Sequence, residues 1–318
     1  MSKARNIAAL STVEVGATAD QTKADLNAIG VSGGRKNLII NGGFDVWQRG
    51  TSLAAASSYL ADRWVNGSTE TQSRQTFTAG QTDVAGCPTY YHRGGGGSNA
   101  YYGLDHKIEN VGTLSGKEVT LSYWMKGSSA FTNAPYRGQN FGSGGSNGVE
   151  AALSTASITT SWARYTHTFT LPSISGKTVG ASSYTQVNVF RAQIANIVVD
   201  IANVQLELGS VATDFEHRSY GEELLLCQRY YYEVPLTGVD GGYGYKGGNA
   251  SAYSFNSTGT FAVKMRTTPS SVVSGGTLNG CSALSVNVSK DGYITRVAPS
   301  GTGSYRAYEQ KITFSAEL

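Results

Sequence analysis

The sequence predicts an all-β fold, and three of its features support this prediction. The 318 residues include 40 glycines and 19 tyrosines but only 15% charged residues, a composition that favours short strands and tight turns over long helices. Several segments alternate apolar and polar residues with the period of two that is typical of half-buried strands. Runs of glycine and serine separate these segments, with no helical pattern between them. We therefore expect a jelly-roll β-sandwich over residues 36–215, a connecting helix at 216–233 and a smaller, sandwich-like β-domain at 234–318.

The residues before the sandwich form a different kind of segment. Residues 1–35 contain one candidate helix, Ala19–Ile29, with Gly30 as its stop signal. This helix has too few apolar residues to form a core alone, so we expect the segment to become ordered only against a partner.

The sandwich opens on the sequence NGGFDVW, which begins at Asn41. We expect its Asn-Gly-Gly turn to supply positive φ angles for a sharp corner, and Phe44, Val46 and Trp47 to hold that corner in the core. Three later segments alternate clearly. Their predicted core-facing residues are Val119, Leu121, Tyr123 and Met125, then Ala163, Tyr165, His167, Phe169 and Leu171, and finally Val204, Leu206 and Leu208.

A helix is predicted over Tyr220–Tyr232. Ser219 and Glu222 have capping-box spacing, and no proline follows until Pro235. Apolar residues cover nearly its whole circumference, which one sandwich alone cannot bury, so we expect the helix to join protomers. The alternative is a helix enclosed between the two domains of a monomer. The candidate oligomerisation residues are Tyr220, Leu224, Leu225, Cys227 and Tyr231.

Short strands return after the helix, and a loop before them is rich in glycine and tyrosine. The strands are predicted at Phe261–Pro269, Leu284–Ser289, Tyr293–Val297 and from Lys311 to Leu318. Adaptable binding loops favour tyrosine, although solvent exposure alone also explains such a composition. The candidates for ligand contact are Tyr243, Tyr245 and Tyr253 in the loop, and Tyr101, Tyr102 and Trp124 in the sandwich, where Trp124 falls on the polar side of its strand.

Charge and hydropathy argue against two classes of partner. The net charge of +3 comes from 25 basic and 22 acidic residues that are interspersed along the chain, which does not favour nucleic acid. No segment has the run of about 18 apolar residues that a membrane span requires, and the N-terminus lacks the apolar core of a signal peptide. We expect synthesis in a cytoplasm and no membrane insertion. Cys87, Cys227 and Cys281 form no metal-binding pattern, so we expect reduced core residues.

Two sequence blocks resemble a known family. NLIINGGFDVWQRGTS from Asn37, followed by SYLADRW from Ser58, is similar to the start of the jelly-roll module in tail fibre proteins of tailed bacteriophages, a module that resembles carbohydrate-binding modules. DFEHRSYGEELLLCQRYY from Asp214 resembles the block that follows the module in such fibres. The resemblance implies a virion component that attaches to the tail or baseplate through residues 1–35, forms a homotrimer and recognises a host-surface polysaccharide.

The same resemblance implies a structural calcium ion. Modules with this opening often place an acidic ligand where Asp45 stands and another near the last strand, where Asp200 stands. Carboxylate oxygens suit calcium, but Asn203 stands where the modules usually carry Asp. The alternative is that Asp45 caps the turn by accepting hydrogen bonds from backbone amides.

No residue pattern predicts catalysis. Familiar catalytic motifs are missing from the sequence, so we expect a noncatalytic receptor-binding protein that needs no cofactor. Glycosidase carboxylates pair through space rather than through sequence spacing, so a glycan depolymerase is one alternative, and a purely structural virion component is another. Arg49, Asp62 and Arg63 offer either a polar ligand site or a buried brace, and we favour the brace.

Overall fold

The computed structural model describes residues 35–54, 58–67, 70–98, 101–193, 195–235, 243–245, 255–275, 277–300, 305–308 and 311–318. The chain divides into two compact units, Met1–Lys36 and Asn37–Leu318. The helix expected at Ala19–Ile29 lies outside the described residues. All the elements given below belong to the second unit.

Two six-stranded antiparallel sheets form a sandwich. The front sheet contains β1 (Ser52–Ala54), β4 (Thr71–Thr76), β5 (Tyr90–Gly95), β7 (Glu118–Gly127), β12 (Ala163–Thr170) and β14 (Val198–Leu208). The back sheet contains β2 (Ser58–Tyr59), β3 (Trp64–Asn66), β6 (Tyr101–Glu109), β9 (Tyr136–Asn140), β10 (Val149–Ala152) and β13 (Tyr184–Gln193). The strand order is β1-β4-β5-β14-β7-β12 in front and β10-β9-β13-β6-β3-β2 behind, and β8 (Phe131–Asn133) pairs with β11 (Ala156–Ile158).

The two sheets enclose one apolar core. Trp64, Leu104 and Phe190 reach it from the back sheet, Leu121 and Ile201 reach it from the front sheet, and all five are fully buried. Removing such surface from water contributes roughly 25 cal/mol per Å². The predicted jelly-roll β-sandwich is therefore confirmed.

The alternation predicted for the long front-sheet strands holds with one exception. Val119, Leu121, Tyr123 and Met125 of β7 are all fully buried, as expected. Leu208 is wrong as a core residue, because it is the last residue of β14 and remains 47% exposed where the chain turns away.

The opening turn has a different geometry from the one expected. Positive φ angles occur at Asn41 (58°) and Phe44 (57°), and Gly42 and Gly43 are not among the positive-φ residues. Gly42 is needed for close approach instead, since a Cβ there would overlap the carbonyl oxygen of Val204 in β14. The Gly42 carbonyl accepts a hydrogen bond from the Val204 amide at 2.9 Å, which ties the turn to the front sheet. The expected core residues Phe44, Val46 and Trp47 are buried.

The helix α1 spans Tyr220–Gln228 and begins with the predicted capping box of Ser219 and Glu222. The helix ends before the predicted Tyr232. From Tyr231 the chain forms strand β15 (Tyr231–Pro235), whose backbone hydrogen bonds go to β23 (Lys311–Ser315) rather than to the preceding helical turn. One side of the helix docks on the opening turn, where the Glu223 carboxylate accepts a hydrogen bond from the Asn41 amide at 2.6 Å. Among the candidate oligomerisation residues, Cys227 and Tyr231 are buried, Leu224 is half-buried, and Tyr220 and Leu225 are exposed.

The C-terminal region contains three three-stranded antiparallel sheets. Its strands are β15, β16 (Tyr243–Tyr245), β17 (Phe255–Thr260), β18 (Ser270–Ser274), β19 (Thr277–Asn279), β20 (Cys281–Val288), β21 (Gly292–Pro299), β22 (Tyr305–Tyr308) and β23 (Lys311–Ser315). The strand predicted at Phe261–Pro269 is wrong. That segment is an irregular connection whose amides bond to separate places, Met265 to Lys290 and Arg266 to Arg229, while Phe261 enters a small core.

Two further expectations concern membranes and cysteines. Helix α1 has nine residues, and no helix among the described residues is long and apolar enough to cross a bilayer. Cys227 and Cys281 are buried as predicted. Cys87 is exposed, contrary to prediction, because it lies in the loop between β4 and β5, with a φ of 46°.

Candidate functional site

The outer face of the front sheet presents two rows of side chains. Because alternate residues point to opposite faces of a strand, the neighbours of the buried residues point outward. Strand register aligns Arg93 with Asp200 and Asp200 with Lys126. Two residues further along these strands, the register aligns Ala202 with Trp124 and Trp124 with Arg164. We call this surface the front face.

Three aromatic rings form a cluster on the front face, which we call the aromatic platform: Phe77, Tyr91 and Trp162. Ring centroids are 4.6 Å apart for Phe77 and Tyr91, and 5.4 Å apart for Trp162 with either neighbour. All three residues are half-buried, so the rings are packed together and still reach solvent. Aromatic faces of this kind offer a large apolar contact at fixed geometry.

Charged groups surround the platform. Arg93 donates to both carboxylate oxygens of Asp200, at 2.7 and 2.8 Å, in the bidentate arrangement that is strongest for this pair. The Lys126 ammonium lies 3.8 Å from Asp200 and 5.2 Å from the ring centroid of Trp162. Arg164 donates to the Ser122 hydroxyl at 3.2 Å and to the Thr213 carbonyl, so its charge is held close to the sheet.

A groove lies on the front face beside Trp124 and Arg164. Its first part, about 270 Å³, is bordered by Trp124, Arg164 and Phe215. The second part, about 380 Å³, is bordered by Asp45, together with Tyr90, Tyr220 and the loop that carries Cys87. Asn203 and His217 line both parts, which therefore adjoin.

Two groups in the groove have unusual environments. Burial, with a smaller contribution from nearby Glu223, raises the pKa of Asp45 to about 6. Asn203 has a left-handed backbone, with φ at 47°, at the irregularity in the β14 ladder. Its amide nitrogen donates to the Ala85 carbonyl at 3.1 Å, whereas its side-chain oxygen is buried without a hydrogen bond among the described residues. The second part of the groove, which Asp45 lines, is thus more polar than the first part, where Trp124 and Phe215 contribute apolar surface.

The structure places the five predicted ligand-contact residues that it describes in three different sheets. Trp124 lies on the front face. Tyr101 and Tyr102 begin β6 in the back sheet, and Tyr243 and Tyr245 lie in β16 of the C-terminal region. Tyr253 lies outside the described residues. Among the five that the structure describes, Trp124 alone lies on the front face and borders the groove.

The two residues proposed for calcium have different neighbours. Asp200 is held by Arg93 and Lys126, while Asp45 faces the groove near Glu223. Within the described ranges, no three His, Cys, Asp or Glu side chains are grouped in a way that holds a metal ion. Among the described residues, no backbone amide donates to the Asp45 carboxylate, so the alternative capping role is not seen there, and the calcium site stays a prediction.

Arg49, Asp62 and Arg63 form the buried brace. Arg49 lies 3.1 Å from Asp62 and 2.8 Å from Glu317, and Arg63 pairs with the same Glu317. The brace connects the sandwich to residues that follow β23. The hypothesis of a ligand site at these residues is not supported, because their charges are already paired.

Sequence reasoning missed the aromatic platform, although part of the signal was present. In WARYTHTFTL, Trp162 shares its side of the strand with Arg164 rather than with the core residues. In YYHRGG, Tyr91 and Arg93 share a side in the same way. The sequence does not reveal that β5 and β12, which are distant along the chain, lie in the same sheet with β14 and β7 between them.

No family model and no curated protein matches the sequence. The fold is similar to several solved structures at low identity. The CBM22-2 xylan-binding domain of Xyn10C from Paenibacillus barcinonensis is 12% identical with a TM-score of 0.35, over 46% of this chain and 92% of that one. The enzymatically active domain of tailspike protein 4 from bacteriophage CBA120 is 13% identical with a TM-score of 0.33, over 54% of this chain and 21% of that one.

A third similar structure belongs to another class of protein. The Stig cyclase Fisc from Fischerella sp. TAU is 12% identical with a TM-score of 0.34, over 56% of this chain and 98% of that one. Likeness of this degree carries no argument about ligands. The strand order of the chain itself establishes the jelly-roll sandwich.

Proposed function

We propose that the protein binds a polysaccharide through the front face and does so without catalysis. The observation that carries this proposal is the platform of Phe77, Tyr91 and Trp162, whose rings are half-exposed on the front face, are tilted against one another by 43° to 85° and are edged by hydrogen-bonding charges. Sugar rings present apolar faces that stack on aromatic rings, and their hydroxyls take hydrogen bonds from charged groups at the ring edge. The groove beside Trp124 extends the same surface and accommodates further sugar units.

We further propose that the protein is a tail fibre component of a tailed-phage virion. The two sequence blocks that resemble such fibres support this, together with the separate unit Met1–Lys36, which suits attachment to a tail or baseplate protein. The exposed Tyr220 and Leu225 support assembly through α1, and a homotrimer presents three front faces at once. Linked weak sites gain roughly 10² to 10⁴ in avidity over one site.

The test of glycan binding uses single substitutions on the platform. Trp162→Ala is expected to weaken binding to immobilised host-surface polysaccharide at least tenfold, about the effect of removing an aromatic anchor. Tyr136→Ala on the back sheet is the matched control, since Tyr136 is also a half-buried aromatic next to an arginine, Arg191. Equal binding by both variants and the wild type would remove the front face as the site.

The same polysaccharide distinguishes binding from hydrolysis. The Asp200 carboxylate on the front face is fully engaged by Arg93, which leaves it poorly placed to act as a catalytic acid or base. We expect no release of reducing ends on prolonged incubation. Accumulation of oligosaccharides would instead identify a depolymerase, and a failure to bind any host polysaccharide would favour a purely structural component.

A further inference from the structure

We infer that the front face is built for an acidic polysaccharide, one whose sugar rings carry carboxylates. This inference rests on the proposed function and specifies the class of glycan. It follows from where the cations lie relative to the aromatic rings and from which of these cations already have a counter-ion.

Three of the four half-buried rings on the front face, those of Tyr91, Trp124 and Trp162, have a cation beside them. The Lys126 ammonium is 5.2 Å from the centroid of Trp162, and the Arg93 guanidinium is 5.6 Å from that of Tyr91. Arg164 is the direct cross-strand partner of Trp124. A sugar stacked on one of these rings therefore places its ring substituents next to a positive charge.

The two rows of side chains on the front face hold more cations than carboxylates. Asp200 is the carboxylate of the two rows, and Arg93 occupies both of its oxygens. Lys126 lies 3.8 Å from Asp200, at the outer limit of an ion pair. Arg164 uses its donors on a hydroxyl and a carbonyl, and it forms no ion pair with a carboxylate in the part of the chain that the structure describes. Lys126 and Arg164 are thus available to neutralise charge on a ligand.

A carboxylated sugar uses this arrangement better than a neutral one does. The carboxylate of a uronic acid projects from the edge of its ring, so that a ring stacked on Trp162 directs it toward Lys126. The resulting charge-assisted hydrogen bond is about twice as strong as one between neutral groups. Single-stranded nucleic acid also combines stacking with negative charge. The net charge of +3, spread along the chain, lacks the basic field of nucleic-acid-binding proteins and favours the polysaccharide.

The test compares polysaccharides that differ only in charge. The probes are polygalacturonate and alginate, each with its fully methyl-esterified form, plus a panel of neutral polysaccharides and a single-stranded oligonucleotide. We expect the full chain to bind at least one acidic polymer about fivefold or more tightly than its ester at low ionic strength. The difference should shrink as salt screens the charges.

Substitution of Lys126 locates the effect. Lys126→Gln is expected to lower affinity for the acidic polymer about three- to fivefold, in the range for one partly exposed charge pair, and to leave affinity for the ester unchanged. Lys126→Arg should restore the preference. Lys177→Gln, the same change at an exposed loop lysine, is the matched control.

The outcomes separate the inference from the proposed function. Equal binding to acid and ester, or binding to neutral polysaccharides only, overturns the inference and leaves glycan recognition intact. Binding to no polysaccharide of either kind overturns both. Tighter binding to the oligonucleotide, weakened by Lys126→Gln and Trp162→Ala, would instead assign the front face to nucleic acid.

Discussion

At the scale of single residues, buried charges are the most constrained groups of the molecule. The Arg63 side chain is fully buried, pairs with Glu317, donates to the Lys107 carbonyl at 2.6 Å and lies 3.5 Å from the ring centroid of Tyr230. A charge in this position is tolerated because a carboxylate, a carbonyl and a π face surround the guanidinium, although its Nε has no acceptor among the described residues.

Glu317→Ala is expected to lower the free energy of unfolding by about 3–5 kcal/mol, because it leaves the Arg63 charge buried without its counter-ion. Urea denaturation measures this. The matched control is Glu150→Ala, which removes an exposed partner of Arg191 and should change stability by about 0.5 kcal/mol or less. Similar small effects for both variants would contradict the brace.

A second buried charge makes stability depend on pH. Burial raises the pKa of Asp105 to about 7, against the lowering influence of Arg191 and Lys107. Because the unfolded chain has a pKa near 3.9 at this group, the folded state binds the proton more tightly. The carboxyl therefore destabilises the fold progressively as pH rises from about 4 to about 7, and the penalty is complete above that range.

Asp105→Asn removes this titration while keeping an acceptor for the Gln186 amide, which now donates to the carboxylate at 2.9 Å. Subtracting the wild type's free energy of unfolding from that of the variant should give a difference that grows with pH between about 4 and 7 and then levels off, on the order of 4 kcal/mol in total. Chemical denaturation at a series of pH values measures the difference, in which the other titrating groups cancel.

At the scale of elements, the opening turn decides how the helix and the front sheet meet. The Asn41 carbonyl accepts a hydrogen bond from the indole of Trp64 at 2.8 Å, and the Asn41 backbone amide donates to the Glu223 carboxylate of α1. The next residue, Gly42, accepts a hydrogen bond from the Val204 amide of β14. One short turn thus connects the core, the helix and the last strand of the front sheet.

Gly42→Ala should destabilise the protein by about 2–3 kcal/mol or prevent folding, because the added methyl group overlaps a backbone carbonyl that cannot move without disturbing β14. Gly221→Ala is the matched control. Nothing lies near a Cβ at that position in α1, and alanine is the better helix former, so a neutral or slightly stabilising effect is expected. Thermal unfolding of both variants tests this, and a harmless Gly42→Ala would show that the turn is looser than described.

At the scale of the whole molecule, the exposed side of α1 is the predicted contact between protomers. Leu225 is 44% exposed, so an aspartate there is tolerated in a single protomer but is buried without a partner in a trimer. Leu225→Asp should therefore yield a folded monomer, measured as molar mass by light scattering. Thr166→Asp, at an exposed position of β12, should leave the assembly unchanged. A wild type that is already monomeric at micromolar concentration would refute the trimer.

Attachment to the virion is tested by removing the first unit. A chain that begins at Lys36 keeps the whole sandwich and C-terminal region, so we expect it to fold and to assemble as the full chain does. It should fail to join virions. Normal incorporation of the shortened chain into particles would show that attachment does not depend on residues 1–35.

The sequence by itself determined the elements whose cause is local. The period of two placed Val119, Leu121, Tyr123 and Met125 in the core, and the spacing of Ser219 and Glu222 located the start of α1, because strand alternation and helix capping involve residues close in sequence. The all-β class followed from the same patterns together with the glycine-rich turns.

The tertiary structure decided what depends on distant partners. Tyr231 belongs to a strand rather than to the helix because it pairs with β23. The segment Phe261–Pro269 is irregular because its backbone amides donate to carbonyls in different parts of the chain. The aromatic platform exists only because β5 and β12 lie in one sheet, which lets Trp162 reach Tyr91. Strand order is set by the burial of the whole core, a sum over many distant contacts, and so no single segment of the sequence reveals it.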